Sequence, residues 1–379
     1  MENPQSRFDK NGSVINDQNY ENFLALQVHK IIRETPDSKT FLFKEVNGKN
    51  ISFLPGQFLT FPLLINGEEV RKNYSICTAP FELPVIGITV KKTAEGHSSD
   101  FIIENLHEGD VLRSYPPVGE FTIDPSAGNK SELVLIGAGS GITPLMSILK
   151  TTLYIEERSQ VTLYYGNRNE ESIIFRQNLE DLQKLYNKRL KVVHFLTQPS
   201  EPASTKDQFS CIVRGRITRE SFKERLNTDG FTENTHFYIC GPEGMIAGVI
   251  NGLRDIGVNA PRIHTEYYKI TIAQDAFVDE AEIKTRKVTI IFEGKEHVIT
   301  VKPYDSILES ALKQGLQLPN SCQVGQCSSC RARLISGKIN LVEQTALEDW
   351  EIKEGYCLTC VGFPMSDDVV IDYDATARF

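Results

Sequence analysis

The sequence predicts a multidomain chain: an antiparallel β-barrel, then an α/β domain built on a doubly wound parallel sheet, then a small, strand-rich α+β domain. Three observations carry this expectation. From Phe23 to about Ile123, short β-rich runs are cut by turn residues at regular spacing, the pattern of an antiparallel barrel. From Ser131, continuous apolar strands alternate with helical stretches, as in a parallel sheet covered on both faces. Towards the end, three cysteines crowd the stretch Ser321-Cys322-Gln323-Val324-Gly325-Gln326-Cys327-Ser328-Ser329-Cys330, answered downstream by Cys360.

Composition sets the outer bounds. A chain of 379 residues suits two to three domains, each with its own core. Its net charge of −9 and the lack of a lysine and arginine run argue against a nucleic-acid partner. The longest apolar stretch, Leu133 to Leu149, is broken by glycines, Ser140, Thr143 and Pro144, so no membrane span is expected. No apolar signal segment follows Met1, which points to a reducing cytoplasm and against disulfides.

The expected order begins with a loose polar arm over residues 1–21, and no internal repeat is visible. The barrel occupies 22–128, with strands at 24–32, 40–43, 58–64, 85–90 and 111–114 separated by turns such as Pro55-Gly56, Asn66-Gly67 and Glu95-Gly96. The α/β domain occupies 129–268. Its strand Glu132 to Ile136 feeds a glycine loop and a helix reaching Leu153, further strands lie at 161–165, 191–195 and 236–240, and a helix spans 174–186.

Residues 269–285 read as an interdomain tether that would let the last domain, 286–379, swing between partners. That domain opens with a hairpin, 287–292 and 297–301, around Glu293-Gly294-Lys295. Asp305 or Ser306 then caps a short helix, with Glu309 placed for a capping box and Gly315 as its left-handed stop.

The cysteine spacing C-x4-C-x2-C with a distant fourth is that of a plant-type [2Fe–2S] cluster, giving Cys322, Cys327, Cys330 and Cys360 as ligands. Soft thiolates suit iron and sulfide, and a short loop around Gly325 can aim backbone N–H groups at the sulfurs. A structural zinc site is the competing reading, although its cysteines usually come as two short paired knuckles. Cys357, three residues before Cys360, competes as the fourth ligand.

Gly137-x-Gly139-x-Gly141-x-x-Pro144 follows a buried strand and can present free N–H groups to a pyrophosphate, with Pro144 opening the helix. It departs from the dinucleotide fingerprint because Ile142 replaces the last glycine, and a ligand-free glycine turn is the plainer alternative. At the tip of the second strand stands Arg168 where an NAD-selective site usually has a carboxylate. A guanidinium accepts a 2′-phosphate, which favours NADPH and leaves NADH open, since Glu170 and Glu171 follow. In the barrel, Arg71-Lys72-Asn73-Tyr74-Ser75 offers cations, a ring and a hydroxyl to a flavin.

Taken in order, Tyr74-Ser75, Gly96-x-x-Ser99, the Gly137 to Pro144 loop and Cys240-Gly241-Pro242-Glu243-Gly244-Met245 resemble the ferredoxin–NADP⁺ reductase superfamily over residues 23 to about 268. The cysteine-loop domain resembles a plant-type ferredoxin fused behind it. The whole looks most like the reductase component of multicomponent oxygenases of the phenylacetyl-CoA epoxidase type, the nearest cues being Tyr165-Gly166-Asn167-Arg168, Ser172-Ile173-Ile174-Phe175 and Gly355-Tyr356-Cys357-Leu358-Thr359-Cys360.

This resemblance implies a β-grasp last domain and an NADPH, FAD, [2Fe–2S] relay to a protein acceptor, the oxygenase component. It implies that Tyr74 stacks on the flavin, Ser75 lies near N5 and Ser99 meets the flavin pyrophosphate. The family motif R-x-Y-S puts Lys72 in the arginine position, with Arg71 one place earlier. Ser75, Cys240 and Glu266 would flank the nicotinamide. Gly137, Gly139, Gly141, Thr143 and Pro144, with Gly241 and Pro242, would hold the pyridine nucleotide. The family pattern also favours Cys360 over Cys357. Two other functions fit the sequence: an FMN- and NADH-dependent reductase of the phthalate dioxygenase type, and a non-catalytic redox sensor or electron-transfer scaffold.

Overall fold

The computed structural model describes residues 23–65, 68–93, 97–200, 210–268, 284–320, 323, 325, 327–342 and 346–375. The expected arm, the Asn66-Gly67 and Glu95-Gly96 turns, Cys322 and tether residues 269–283 lie outside them. The chain divides into two compact units, the first ending at Tyr267 and the second beginning at Tyr268.

In the first unit, strands β1 (Leu24–Thr35), β2 (Ser38–Glu45), β3 (Phe58–Ile65), β4 (Glu68–Ser75), β5 (Ile86–Lys91) and β6 (Val111–Ser114) form an antiparallel sheet in the order β5-β2-β1-β6 and a hairpin β3-β4. Backbone bonds join the two at both seams. Tyr115 N–H donates to Thr60 O at 2.9 Å, and Cys77 N–H to Gly87 O at 2.9 Å. The interior is filled by alternate strand residues such as Leu26, Val28, Phe41, Phe43 and Phe61, all buried, as the two-residue period of a strand requires. The sequence marks a turn at Glu95-Gly96 and offers no helix after it. The structure instead starts helix α1 (His97–Asn105) there, because Ile102 and Ile103 bury against the barrel core.

The parallel sheet comprises β7 (Glu132–Ala138), β8 (Gln160–Asn167), β9 (Leu190–Leu196), β10 (Ser210–Arg214), β11 (Thr235–Cys240) and β12 (Ile263–Glu266), in the order β10-β9-β8-β7-β11-β12. Helices α2 (Ile142–Ile155) and α3 (Arg176–Leu185) cover one face, and α4 (Arg219–Asp229) and α5 (Glu243–Asp255) the other. Buried on both sides, residues 133–136 of β7 and 163–165 of β8 leave no room for polar alternation, hence their continuous apolar runs. The edge strands β10 and β12 are short and carry charged residues, so they leave no such signal. Ser147 Oγ donates to Thr78 O at 2.6 Å and Tyr238 Oη to Thr122 O at 3.3 Å, which ties this sheet to the barrel.

The second unit has β13 (Arg286–Phe292), β14 (Lys295–Val301), α6 (Ile307–Lys313), β15 (Arg331–Ser336), β16 (Ile339–Leu341), α7 (Asp349–Lys353), β17 (Tyr356–Leu358), β18 (Gly362–Pro364) and β19 (Val370–Asp372). The main sheet runs β14-β13-β19-β15-β17, with β13 and β19 parallel, while β16 and β18 pair apart. The β13-β14 turn is set by positive φ at Glu293 and Gly294, 53° and 69°. Ser306, not Asp305, caps α6, accepting from Glu309 N–H at 3.1 Å. The expected capping box does not close, since the Glu309 carboxylate pairs with Lys313 at 2.9 Å, one helical turn on.

Candidate redox site

The pyridine-nucleotide candidates gather at the carboxyl ends of the parallel strands, where the order reverses between β7 and β11. Ligands of doubly wound sheets sit at such a switch point. A tight turn at Gly139–Gly141 joins β7 to α2, and Gly139 needs its φ of +55°. A Cβ on Gly141 would stand 2.1 Å from the Cys240 carbonyl oxygen, so only glycine lets this loop pack on the end of β11. Pro144 is the third residue of α2 rather than its first, a correction to the sequence expectation. It remains within the first turn, where an N–H has no intrahelical acceptor. The Thr143 hydroxyl donates back to Ser140 O at 3.0 Å.

A cleft of about 920 Å³ opens here, lined by Gly139, Pro242, Arg168, Arg216 and, from the barrel, Asp37 and Lys91. Gly241 precedes Pro242 at φ +158°, and Pro242 is the N-cap of α5. Gly137 lies within β7, deep to the cleft. Arg168 is anchored through its backbone: its N–H donates to Ser172 Oγ at 3.1 Å and its carbonyl accepts from Gln198 N–H at 2.7 Å, while its side chain is exposed. Glu170 is drawn away, its carboxylate accepting from the Ser200 N–H and hydroxyl, the latter at 2.8 Å. Sequence reasoning passed over Arg216, which the end of β10 carries to the far side of the β9 tip. The run Arg214-Gly215-Arg216 after Cys211-Ile212-Val213 was the available signal. Arg219, also in the cleft wall, is occupied by a fork to Asp255 at 2.8 and 2.6 Å.

Cys240 and Glu266 are register partners at the ends of β11 and β12 and are both buried. Glu266 Oε2 has no hydrogen-bond partner among the described residues, and burial pushes its carboxyl up to about 8. A neutral carboxyl with an unfilled oxygen is the kind of group a nicotinamide carboxamide would satisfy. Ser75, buried at the end of β4, comes from the barrel side.

Around the barrel, strand alternation puts Lys72 on the same face of β4 as Tyr74 and turns Arg71 to the other. The Arg71 guanidinium lies over the Tyr115 ring, 5.2 Å from its centroid. Lys72 is exposed, and burial raises the Tyr74 phenol well above its ordinary value. Ser99 is buried in the first turn of α1, whose leading N–H groups suit a pyrophosphate. A ring, a cation and a helix start are therefore available to a flavin.

In the second unit, Cys330 and Cys360 are buried with their thiols in hydrogen-bond contact. That contact, ahead of burial, holds the Cys330 thiol below its ordinary value. Cys327 is half-buried. Gly325, at φ +73°, turns the loop, and its carbonyl accepts from Ala346 N–H at 3.3 Å. Cys357 sits inside β17, opposite Ala332 in the core, where burial pushes its thiol up to about 12. Two buried thiols in contact, with Cys327 on the same loop as Cys330, are soft donors of the kind an iron–sulfur cluster takes.

Comparison with known proteins agrees with this layout. Residues 25–123 match the oxidoreductase FAD-binding domain family, residues 135–250 the oxidoreductase NAD-binding domain family, and residues 290–365 the 2Fe-2S iron-sulfur cluster binding domain family. The chain is 34% identical over 359 residues to a subunit of the 1,2-phenylacetyl-CoA epoxidase of Escherichia coli (strain K12), covering 93% of this chain and 98% of that protein. It is 30% identical to the ferredoxin reductase component of 3-ketosteroid-9-alpha-monooxygenase from Rhodococcus rhodochrous, over 92% and 97% of the two chains. The solved structure of phthalate dioxygenase reductase shares the fold, with a TM-score of 0.59 and 24% identity over 92% of this chain and 98% of that one. The chain thus belongs to the ferredoxin reductase-type oxidoreductases in which an FAD-binding, an NAD-binding and a 2Fe-2S cluster-binding domain follow one another in a single polypeptide.

Proposed function

We propose that this protein is the reductase component of a multicomponent oxygenase of the phenylacetyl-CoA epoxidase type, taking electrons from NADPH and delivering them to its oxygenase partner. The observation that carries the proposal is its likeness to the 1,2-phenylacetyl-CoA epoxidase component over 98% of that protein's length, so all three domains and their order are shared. When bound, the pyridine nucleotide supplies a hydride, the flavin divides it into single electrons, and the cluster passes them on one at a time.

The chain's own residues would bind, orient and exclude water. The first turn of α2, with Gly139, Gly141, Thr143 and Pro144, receives the pyrophosphate of NADPH, helped by Gly241 and Pro242. Arg168 and Arg216, on either side of the β9 tip, take its 2′-phosphate. Cys240, Glu266 and Ser75 flank the nicotinamide, and Glu266, neutral at pH 7, offers it a hydrogen bond without a buried charge. Tyr74 stacks on FAD, while Lys72 and Ser99 hold its phosphates. Cys322, Cys327, Cys330 and Cys360 ligate the cluster, which suits a reducing cytoplasm. These three tasks are assigned to residues 22–128, 129–268 and 286–379.

The test is anaerobic titration of the purified protein with NADPH, followed by absorbance. Flavin and cluster bands should bleach in sequence, and extracted flavin should be FAD. FMN with a preference for NADH would instead favour the phthalate dioxygenase type. No bleaching with both cofactors bound would point to a non-catalytic redox protein.

A further inference from the structure

Behind the cysteine loop, three residues from distant parts of the sequence meet in a dry polar contact. Tyr373, immediately after β19, places its phenol oxygen 2.5 Å from Thr359 Oγ1. Thr359, one residue before Cys360, places the same hydroxyl 3.2 Å from the Cys330 carbonyl oxygen, which its backbone N–H also approaches at 3.3 Å. Thr359 is 0% exposed and Tyr373 6%. The Tyr373 ring is held edge-on by Phe292 at 5.9 Å, and its N–H donates to Ile291 O at 2.9 Å, so the phenol is fixed from the β13 side of the sheet.

Proton counting sets the direction. A threonine hydroxyl has one proton and two lone pairs. Thr359 gives its proton towards Cys330, so it accepts the Tyr373 proton, and both O–H dipoles point their positive ends at Cys330. Dipoles aimed at a metal ligand favour the state with more negative charge on its sulfur, and in a water-free setting they are weakly screened.

We infer that Tyr373 is a positioning residue that, acting through Thr359, raises the reduction potential of the cluster held by Cys330 and Cys360. This rests on the cluster reading above. Its effect is to orient and polarise the Thr359 hydroxyl, which it meets at 2.5 Å. The spacing of residues 330, 359 and 373 gives no hint of it, since the contact depends on β19 lying between β13 and β15.

The experiment is an EPR-monitored redox titration of the full-length holoprotein and of Tyr373→Phe, Thr359→Val, Thr359→Ser and the double variant Tyr373→Phe/Thr359→Val, with iron and sulfide assayed for each. Tyr373→Phe and Thr359→Val should both shift the one-electron equilibrium towards the oxidised cluster, by about three- to tenfold, tenfold being ~59 mV. Thr359→Ser should stay near the parent protein. The double variant should fall no lower than Thr359→Val, because the phenol acts only through that hydroxyl. The flavin potential serves as the internal control and should not move.

An unchanged potential in Tyr373→Phe with full iron and sulfide would overturn the inference while leaving the cluster reading intact. Additive shifts in the double variant would overturn the relay through Thr359. Loss of the cluster from Tyr373→Phe, with Thr359→Val still loaded, would show a purely structural tyrosine and would also overturn it. A parent protein without iron and sulfide would remove the cluster reading itself.

Discussion

Cys240 and Glu266 stand opposite each other at the carboxyl ends of adjacent parallel strands, 26 positions apart in sequence and paired in register. The chain thereby buries a carboxyl with one oxygen unpartnered among the described residues beside a thiol, at the edge of the cleft-bearing sheet.

That burial has a pH signature. Folding raises the Glu266 carboxyl from an ordinary 4.5 to about 8 by desolvation. The folded chain therefore holds this proton more tightly than the unfolded chain, so the associated stability is full below about pH 4.5 and lost as pH rises through about 8. Glu266→Gln, neutral throughout, should lack this decline. Its melting temperature should exceed the parent's by about 5 °C or more at pH 9 and converge with it near pH 5. Parallel melting curves across that range would refute the assignment.

Coenzyme choice should depend on two guanidinium groups. Arg168→Gln and Arg216→Gln should each cut the preference for NADPH over NADH, measured as a ratio of kcat/KM, by roughly tenfold or more, the usual worth of a charge-assisted hydrogen bond. Arg168→Asp should reverse the preference. If that variant still favours NADPH, the 2′-phosphate lies elsewhere.

Flavin affinity should follow Lys72 rather than Arg71. Lys72 shares its strand face with Tyr74, whereas Arg71 is spent on the Tyr115 ring at 5.2 Å. Lys72→Arg should tighten FAD binding about threefold or more by replacing a point charge with a fork, and Lys72→Ala should weaken it about tenfold. Arg71→Ala should change it little. Fluorescence titration of apoprotein with FAD measures all three, and a larger loss in Arg71→Ala would reverse the assignment.

Cys360 and Cys357 are separable by serine exchange. The Cys360 thiol meets that of Cys330, while Cys357 packs inside β17 against the core. Cys360→Ser should lose most of the visible cluster absorbance, and Cys357→Ser should retain iron and sulfide near the parent level, with a stability loss of about 1–2 kcal/mol from the buried hydroxyl. Equal bleaching in both would make the fourth ligand ambiguous and count against Cys360.

Much of the fold was legible because its signals are local. Barrel strands alternate, the centres of β7 and β8 are apolar runs, and Gly139 and Gly141 mark a turn that backbone sterics reserve for glycine. What failed to show were elements stabilised from outside their own sequence: α1, β10 and β12 form because barrel core or neighbouring strands complete them. Ser306 rather than Asp305 as the α6 cap was a choice between adjacent candidates that only backbone geometry settles.

By itself the sequence determined the order of the three domains, the glycine loop after β7 and the cysteine spacing, since each is a property of neighbouring residues and of backbone chemistry they cannot escape. The tertiary structure alone decided that Arg71 lies over the Tyr115 ring, that Arg216 joins Arg168 in one cleft, that Glu266 faces Cys240, and that Tyr373 reaches Thr359. Those pairings depend on strand register and sheet order, which are fixed by the burial of whole faces and not by any short stretch of chain.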